Sequence, residues 1–527
     1  MLHCFDKKRI VFAGCLAIAI WIMPGQSIAQ AGKARHVSIE EADSYFDYQD
    51  YGNALPIYQE FYQHDSANSN LNYRIGVCLF NIRKYKEKAL PYLEKAAKGN
   101  VNEAFHYLGL SYHLAYRFED ALNAYQRYRS FSGFKEFDNE EIDQLIANTK
   151  NAMEMIKNPV KVDIENIGNT INSSYPDYVP VISADESVLI FTSRRPGSTG
   201  GLLDPHGDYY EDVYISHKEN GNWSSPVGIG SNINTSSHDA CVSLAAGGEK
   251  LIIYRNNKEL TGGDLYMSSF DGKDWTIPEK LSPEINTKKS LQPSACISAD
   301  DHTLYFSSNR KGGYGGKDLY KVVRLPNGEW SKAVNLGPAI NTPYDEDAPF
   351  IHPDGKTLYF SSKGHKNMGD YDIFKTALQD DGSWSAPENL GYPINTVDDD
   401  IYFVLSTNGK RGYYSSNRNG GYGDVDIYVI NFPDESFDLS VVKGSVVSSD
   451  IKVKPLIATI TLLDPANNKQ QGSYNTNPLT GKFLLVAQSG KKYIMLVQSP
   501  GYQDLTKEIS VTKNDEEAIE VIKLDKK

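Results

Sequence analysis

The sequence predicts a multidomain chain that combines a helical array with two all-β segments, a closed ring of repeated sheets and a small β-sandwich. Three observations predict this fold class. Aromatic and small residues recur at helical spacing early in the chain. A short Asp-x-Tyr motif, Asp-x-Phe in one unit, recurs every 52 or 54 residues in the middle, and turn-bounded alternating strands fill the end. A chain of 527 residues, 40% of them hydrophobic, suits about three such domains.

The helical array shows a tetratricopeptide pattern. Residues 105–112 read Phe-His-Tyr-Leu-Gly-Leu-Ser-Tyr and are followed at the expected distance by Ala121. The equivalent alanines Ala54, Ala89 and Ala121 are 35 and 32 residues apart, close to the ~34-residue period of that repeat. Apolar periodicity from Asn139 to Lys157 predicts one further amphipathic helix. We therefore expect a helical tetratricopeptide-repeat domain over residues 30–158.

The middle of the chain carries a longer repeat. Its aspartates are Asp212, Asp264, Asp318, Asp372 and Asp426, and tryptophans follow the first four at Trp223, Trp275, Trp330 and Trp384. Several short strands in a fixed period of this size predict propeller blades. The fifth unit has no tryptophan segment, whereas residues 160–168, ahead of the first unit, look like the end of one. We therefore expect this N-terminal strand to complete the last blade of a five-bladed β-propeller over residues 159–432.

The last segment, residues 438–527, changes character again. Glycine turns separate about seven alternating strands, which suits a small antiparallel sandwich. The Gly490-Lys491 and Gly501-Tyr502 pairs, with Tyr493, resemble the carboxypeptidase regulatory-like domain, which has a transthyretin-like β-sandwich fold.

The first 29 residues have the pattern of a secretion signal. Three basic residues, Lys7, Lys8 and Arg9, precede an uncharged apolar run over residues 10–23, and small residues follow at the cleavage spacing. Cys15 lies inside the apolar run, so we expect no lipid attachment there. The sequence thus predicts a signal peptide over residues 1–29 and an exported protein of the periplasm or the outer-membrane periphery.

Charge and cysteine usage narrow the function classes. Removal of the signal segment, with its three basic residues and one aspartate, takes the formal net charge from −13 to −15. Such a surface repels phosphate backbones, so no nucleic-acid partner is expected. The three remaining cysteines, Cys78, Cys241 and Cys296, are too few for a disulfide scaffold. Cys241 and Cys296 align with apolar positions of neighbouring units, which favours buried free thiols over a disulfide.

No contiguous catalytic signature is present. The sequence has no Gly-x-Ser-x-Gly, no His-Glu-x-x-His and no P-loop, and Gly316-Lys317 is followed by Asp318 rather than Ser or Thr. The segments 298–301 and 352–355 look like the Asp-boxes of sialidases, but their position between the first two strands of a unit favours hairpin turns. These observations predict no catalytic residues, no metal, no cofactor and no enzymatic activity.

Two columns of acidic residues emerge when the units are aligned. The first is Asp177, Asp239, Gln292, Glu346 and Asp400, at the starts of the inner strands. These side chains form a candidate polar ring at one mouth of the channel that binds a cation or a basic loop, or else they cap strand starts and bridge neighbouring blades. The second column is the aspartate of the Asp-x-Tyr motif, which we expect to tie down the Gly-rich loop before it. A partial column of Arg195, Arg310 and Arg418 is expected to supply ion pairs.

The order of the segments resembles one family. Signal, tetratricopeptide repeats, a TolB-like or WD40-like propeller and a regulatory-like sandwich are the order found in PorE-type accessory proteins of the Bacteroidetes type IX secretion and gliding apparatus. Those proteins are often lipid-anchored and end in an OmpA-like peptidoglycan-binding domain. We expect neither feature here, and peptidoglycan binding is not part of the prediction.

The resemblance implies a non-enzymatic exported scaffold within a cell-envelope assembly linked to type IX secretion or gliding. Its partners would be other envelope or secretion-machinery proteins, bound through the helical groove and the propeller faces, with outer-membrane association through those partners. The alternative is a propeller-based glycan-binding protein or hydrolase.

Overall fold

The computed structural model describes residues 38–527 apart from 134–135, 205–206, 258–261, 419, 434–436, 451 and 513–519. The expected signal peptide and Cys15 lie outside the described residues. The chain divides into two compact units, residues 1–139 and 140–527. No helix within the described ranges has the length and apolar character needed to cross a bilayer.

The first unit is a series of paired helices. They are α1 (Ile39–Asp47), α2 (Tyr51–Tyr62), α3 (Ser69–Asn81), α4 (Leu90–Lys98), α5 (Ala104–Leu114) and α6 (Phe118–Ser130), with a 3₁₀ segment at Arg83–Ala89. Side-chain oxygens of Ser38, Asp50 and Asn68 cap the first three. The glycine of the α5 motif lets α6 approach closely, because a Cβ on Gly109 would lie 2.4 Å from the ring of Tyr125.

The helix predicted over Asn139–Lys157 is present as α7 and lies, apart from Asn139, in the second unit, which continues with five antiparallel sheets. Sheet one contains β2 (Asp177–Ile182), β3 (Val188–Ser193), β4 (Asp212–Glu219), β5 (Asn222–Trp223) and β6 (Val227–Gly228). Sheet two contains β7 (Asp239–Leu244), β8 (Lys250–Asn256), β9 (Gly263–Ser269) and β10 (Glu279–Lys280). Sheet three contains β11 (Ala295–Ile297), β12 (Thr303–Ser308), β13 (Asp318–Val323) and β14 (Val334–Asn335). Sheet four contains β15 (Glu346–Ile351), β16 (Thr357–Ser362), β17 (Asp372–Ala377) and β18 (Glu388–Asn389). Sheet five contains β19 (Asp400–Leu405), β20 (Arg411–Ser416), β21 (Asp426–Asn431) and β1 (Asp163–Asn166).

The five sheets close on themselves. Each first strand adjoins the first strand of the next sheet, and β19 of sheet five adjoins β2 of sheet one. The N–H of Asp177 donates to the carbonyl of Val425 at 2.8 Å across this last junction. The predicted completion of the last sheet by the N-terminal strand is confirmed, because β1 pairs antiparallel with β21. This pairing covers the edge that β21 would otherwise expose.

The ring has two distinct ends. The strand-start face is the end where the first strand of every sheet begins and where the loops between second and third strands lie. The hairpin face is the opposite end, formed by the turns between first and second strands. Both segments suspected of resembling Asp-boxes are hairpin turns on that face, as predicted. Cys241 and Cys296 lie in first strands as buried free thiols, and this prediction is also confirmed.

The C-terminal segment contains seven strands in two sheets. Sheet order is β25–β22–β28 and β24–β23–β26–β27, with β22 (Leu439–Ser448), β23 (Thr459–Leu463), β24 (Gln470–Asn475), β25 (Lys482–Gln488), β26 (Lys492–Gln498), β27 (Leu505–Ser510) and β28 (Glu520–Leu524). Alternate residues such as Ile460, Leu485 and Val497 form their shared core. The sandwich lies against the hairpin face, where Asn477 donates to the carbonyl of Phe270 at 2.9 Å.

Candidate functional site

The residues of the predicted polar ring lie at the starts of the first strands. Asp177, Asp239, Gln292, Glu346 and Asp400 all have no exposed surface. Each carboxylate accepts a hydrogen bond from the Ser or Thr four residues earlier, as Asp239 does from Thr235 at 2.6 Å. These contacts match the strand-capping alternative. Among the described residues, no three His, Cys, Asp or Glu side chains converge in a way that could hold a metal ion.

The carboxylates of the predicted polar ring differ in the partners that they contact. Asp177 and Asp239 are paired with Arg195 and Arg255 at 2.5 and 2.6 Å. Within the described ranges no arginine pairs with Glu346, which accepts instead from Ser362 and Thr342. Burial raises the pKa of Glu346 to about 8.

The carboxyl of Asp400, like that of Glu346, has a raised pKa. Burial raises the pKa of Asp400 to about 7, against the opposing effects of Arg418 and of hydrogen bonds from Ser416 and Thr396. These two carboxyls have pKa values in the range of general acids, but their side chains are bonded inside their own sheets.

The second acidic column ties down loops, as predicted. Asp318 accepts from the N–H groups of Tyr314 and Gly315, at 2.6 and 2.9 Å. Equivalent bonds hold the loops before Asp212, Asp372 and Asp426. Asp264 instead accepts from the Lys280 ammonium at 2.6 Å, and the loop residues 258–261 lie outside the described ranges.

The prediction for the arginine column is correct for only one member. Arg195 pairs with Asp177, whereas Arg310 and Arg418 donate to backbone carbonyls of Ile285 and Pro393. In the same sheet as Arg310, the aligned ring position is Gln292, which carries no charge. Arg255 makes the second ion pair from within β8, two positions earlier in the unit, and the alignment of loop arginines did not include it.

A lysine–carboxylate cluster on the strand-start face was not predicted. It consists of Lys317, Asp345, Asp347, Lys363, Asp370, Tyr371 and Asp399, contributed by sheets three, four and five. These residues flank the aligned columns, and their types change from one unit to the next, so a search for repeated positions does not detect them. The remaining signal was the charge-rich sequence at 345–347, Asp-Glu-Asp.

Lys317 organises the cluster. Its ammonium bonds to Asp347 and lies 3.9 Å from the carboxylate of Asp345. The backbone N–H of Lys317 donates to Asp345 at 2.7 Å, and Asp347 also accepts from Ser294 and from the N–H of Ala348. The Asp347 side chain is 4% exposed, while that of Asp345 is 18% exposed. Two carboxylates therefore share one lysine, and Asp345 is the one that solvent reaches.

The side chain of Tyr371 contacts both Lys317 and Asp345. Its hydroxyl donates to Asp345 at 3.3 Å, and the ammoniums of Lys317 and Lys363 lie 5.2 and 4.7 Å from its ring centre. Lys363 is paired with Asp370 at 2.6 Å. Although burial acts in the opposite direction, the nearby carboxylates, led by Asp370, raise the pKa of Lys363, so this lysine is a cation at neutral pH.

A glutamate–histidine cluster occupies the same face at sheets one and two. Glu211, 1% exposed, accepts from the hydroxyl of Tyr178 and lies 3.0 Å from Nδ1 of His238. Tyr210 stacks on His238 with ring centres 4.0 Å apart. Buried charges, hydroxyls and aromatic rings thus converge on the strand-start face from all five sheets. The sandwich contacts the other end of the ring.

The chain was compared with known proteins. No family model matches the sequence, and no curated protein matches it. Among solved structures it is similar to an α-L-arabinofuranosidase from Lactobacillus brevis, with 14% identity, 51% of this chain and 94% of that chain covered, and a TM-score of 0.33. A gluconolactonase from Xanthomonas campestris shows 12% identity, 52% and 90% coverage and a TM-score of 0.30. A prolyl endopeptidase structure shows 12% identity, 62% and 46% coverage and a TM-score of 0.25.

These comparisons contradict two predictions. The similar solved structures are enzymes, against the expectation of a non-enzymatic scaffold linked to type IX secretion and the expectation of no enzymatic activity. The physical reason for the difference is that a catalytic site need not leave a contiguous signature in the sequence. A site on the face of a ring is assembled from residues far apart in sequence. At these identities and TM-scores, the similarities assign no residue role or substrate to this chain.

Proposed function

We propose that the strand-start face is the working face of a glycan-directed hydrolase, with Asp345 as its reactive carboxylate and Asp347 as the residue that positions Lys317 beside it. The observation that carries the proposal is the sharing of one buried ammonium, that of Lys317, by two carboxylates of different exposure. Glycoside hydrolysis uses two carboxyl groups, roughly 5 to 9.5 Å apart, on either side of the scissile bond. Asp345 supplies one of these groups, whereas both oxygens of Asp347 are bonded inside the protein.

The two aspartates have different parts in this proposal. Asp345 is the exposed member and faces the substrate, with Tyr371 donating to its second oxygen. Asp347 has both oxygens occupied, by Ser294, the Ala348 N–H and Lys317, and so fixes the position of the lysine. The ammonium of Lys317 lies 3.9 Å from the carboxylate of Asp345, the group that would act as nucleophile or general base.

The test is activity of the full chain against neutral polysaccharides and aryl glycosides, measured as reducing ends or released chromophore. We expect Asp345→Asn to lower kcat at least ~100-fold, because a positioned carboxylate contributes about that factor or more. Asp380→Asn is the matched control, since Asp380 is fully exposed beside Lys356 and belongs to sheet four but not to the cluster. Binding of glycans without any turnover would favour the glycan-binding alternative. Absence of both from the wild-type protein would refute the proposal.

For the finer architecture, we propose that the ring is a five-bladed β-propeller of TolB-like type and that α1 to α6 are tetratricopeptide repeats. The cyclic order of first strands and the β1–β21 pairing support the first assignment. The close approach of paired helices at Gly76 and Gly109 supports the second. The groove of such repeats is a binding surface for an extended segment of a partner. The basic, apolar and small-residue pattern of residues 1–29 supports export to the periplasm.

A further inference from the structure

We propose that Tyr314 and Tyr422 are stacking platforms for the sugar rings of a neutral polysaccharide that crosses the strand-start face. The inference rests on the proposed function and names the substrate class of that face. Both tyrosines lie in loops between second and third strands, in sheets three and five. Each stands four residues before the motif aspartate of its unit, Asp318 or Asp426.

The two tyrosines are exposed although their loops are firmly held. Their side chains are 53% and 51% exposed, and they are the only aromatic residues among the large exposed apolar side chains in the described part of the ring. The N–H of Tyr314 donates to Asp318 at 2.6 Å, and that of Tyr422 donates to Asp426 at 2.5 Å. An aromatic ring presented by a fixed backbone loses little entropy when a ligand stacks on it.

Each loop is also packed on the neighbouring sheet. A Cβ on Gly315 would lie 2.1 Å from the carbonyl oxygen of Tyr344, and one on Gly423 would lie 2.4 Å from that of Tyr175. A Cβ on Gly316 would lie 1.9 Å from a carboxylate oxygen of Asp345. Tyr314 therefore stands two residues from the backbone that packs against the proposed catalytic carboxylate.

In sheet four, the residue four positions before the motif aspartate is not presented to solvent. It is occupied by Met368, which has no exposed surface. Side chains of α7 bind its neighbours, Asn151 to the carbonyl of Asn367 at 2.9 Å and Asn148 to that of Gly369 at 3.3 Å. The position is thus an exposed tyrosine in sheets three and five, a buried methionine in sheet four and the half-exposed Asp208 in sheet one, while that of sheet two lies outside the described residues. Packing alone does not account for two exposed tyrosines.

The chemistry of the face selects the ligand. The lysine–carboxylate cluster has four aspartates and two lysines, and the chain carries a net charge of −13, so acidic polymers are repelled. Carboxylates accept hydrogen bonds from sugar hydroxyls, and tyrosine rings cover the apolar faces of pyranose rings. Two platforms on alternate sheets flank sheet four, where Asp345 lies, so the ligand must extend over several sugar rings.

The experiment measures affinity of the full chain for soluble xylan, arabinan, mannan and β-glucan by affinity electrophoresis, with polygalacturonate as the acidic polymer. We expect Tyr314→Ala and Tyr422→Ala each to weaken binding to a neutral polymer about tenfold, the upper range for one aromatic contact. The corresponding phenylalanine variants should retain binding. Tyr48→Ala is the matched control, because Tyr48 is 84% exposed but lies in the first unit.

The outcomes separate this inference from the proposed function. Loss of binding in the alanine variants, with no turnover by the wild-type protein, would support the platforms and refute hydrolysis. Turnover that Asp345→Asn abolishes, with wild-type binding by the double alanine variant, would refute the platforms alone. Absence of binding to every neutral polymer, or binding to polygalacturonate only, would overturn the inference.

Discussion

Residues at the same aligned position make different interactions in different sheets of this molecule. At the start of the first strand, Asp177 and Asp239 form ion pairs with arginine, Glu346 and Asp400 accept hydrogen bonds from Ser and Thr hydroxyls, and sheet three has Gln292. Gln292 donates to Thr287 and Ser308, which correspond to hydroxyls that Glu346 and Asp400 accept from in sheets four and five. The position therefore requires a hydrogen-bonding side chain and does not require a charge.

This leads to a prediction for Glu346→Gln. Burial raises the pKa of Glu346 from 4.5 to about 8, so the folded state binds this proton more tightly than the unfolded state does. The resulting stabilisation is complete below about pH 4.5 and is lost as the pH rises through about 8. We expect the free energy of unfolding of the wild-type protein to fall between pH 5 and pH 8. The fall should be smaller in the variant, as urea unfolding at each pH would measure.

Asp438→Asn, which changes a carboxylate outside the ring, serves as the control. An unchanged pH dependence in Glu346→Gln would show that Glu346 is ionised in the folded protein. Loss of folding in the variant at every pH would show that the amide found in sheet three does not fit sheet four.

The repeated residues of the site could be predicted from sequence, whereas its unrepeated residues could not. Asp318 and Asp426 hold their loops as expected because the same local bond recurs in several units. Lys317 and Asp345 come together only because sheet three lies beside sheet four, and nothing in the sequence marks that contact. The lysine–carboxylate cluster could therefore be identified only from the structure.

At the scale of elements, the strand pattern and the ring closure were both predictable. Each unit has turn signals at fixed places, so the starts of strands such as β13 and β17 follow from the motif itself. The docking of α7 on the loop at Asn367 was not predictable, because an amphipathic pattern shows that a helix has a buried face but not what covers it.

The closing strand β1 gives a prediction at this scale. Ile164 pairs with Ile430 and packs in the apolar cluster that contains Tyr428 and Phe403. Ile164→Asp places a charge in that cluster, and we expect it to lower the free energy of unfolding by about 2 kcal/mol. Glu165→Gln, on the exposed side of the same strand, should change it by less than ~0.5 kcal/mol. Equal stabilities of the two variants would show that β1 does not hold the ring closed.

At the scale of the whole chain, the sandwich and the ring have complementary positions within the second unit. The sandwich reaches the hairpin face through Asn477 at sheet two, through Lys443 at sheet one and through the preceding Phe437, whose ring lies 4.0 Å from that of His352 in sheet four. Contacts at three sheets anchor one end of the ring, and the charged and aromatic clusters lie at the other. This division favours ligand access from the strand-start face.

The ion pair between Lys443 and Asp185 tests whether the sandwich stabilises the ring. The two side chains are 2.5 Å apart, and that of Asp185 is only 10% exposed. Lys443→Glu would place a second negative charge beside this partly buried carboxylate, so we expect the free energy of unfolding to fall by about 2 kcal/mol. Hydrogen exchange of the turn at residues 183–187 should rise at the same time, because the turn loses its cover.

The control for this ion pair is Lys526→Glu, which reverses an exposed partner of Asp450 within the sandwich and should cost less than ~1 kcal/mol. If exchange of the turn were unchanged in Lys443→Glu while the sandwich alone lost stability, the ring would not depend on its cover. The sandwich would then be attached to the hairpin face without stabilising the ring, and the two would not unfold as one cooperative unit. If exchange rises with the loss of stability, ring and sandwich unfold together, and the strand-start face is the end left for ligands.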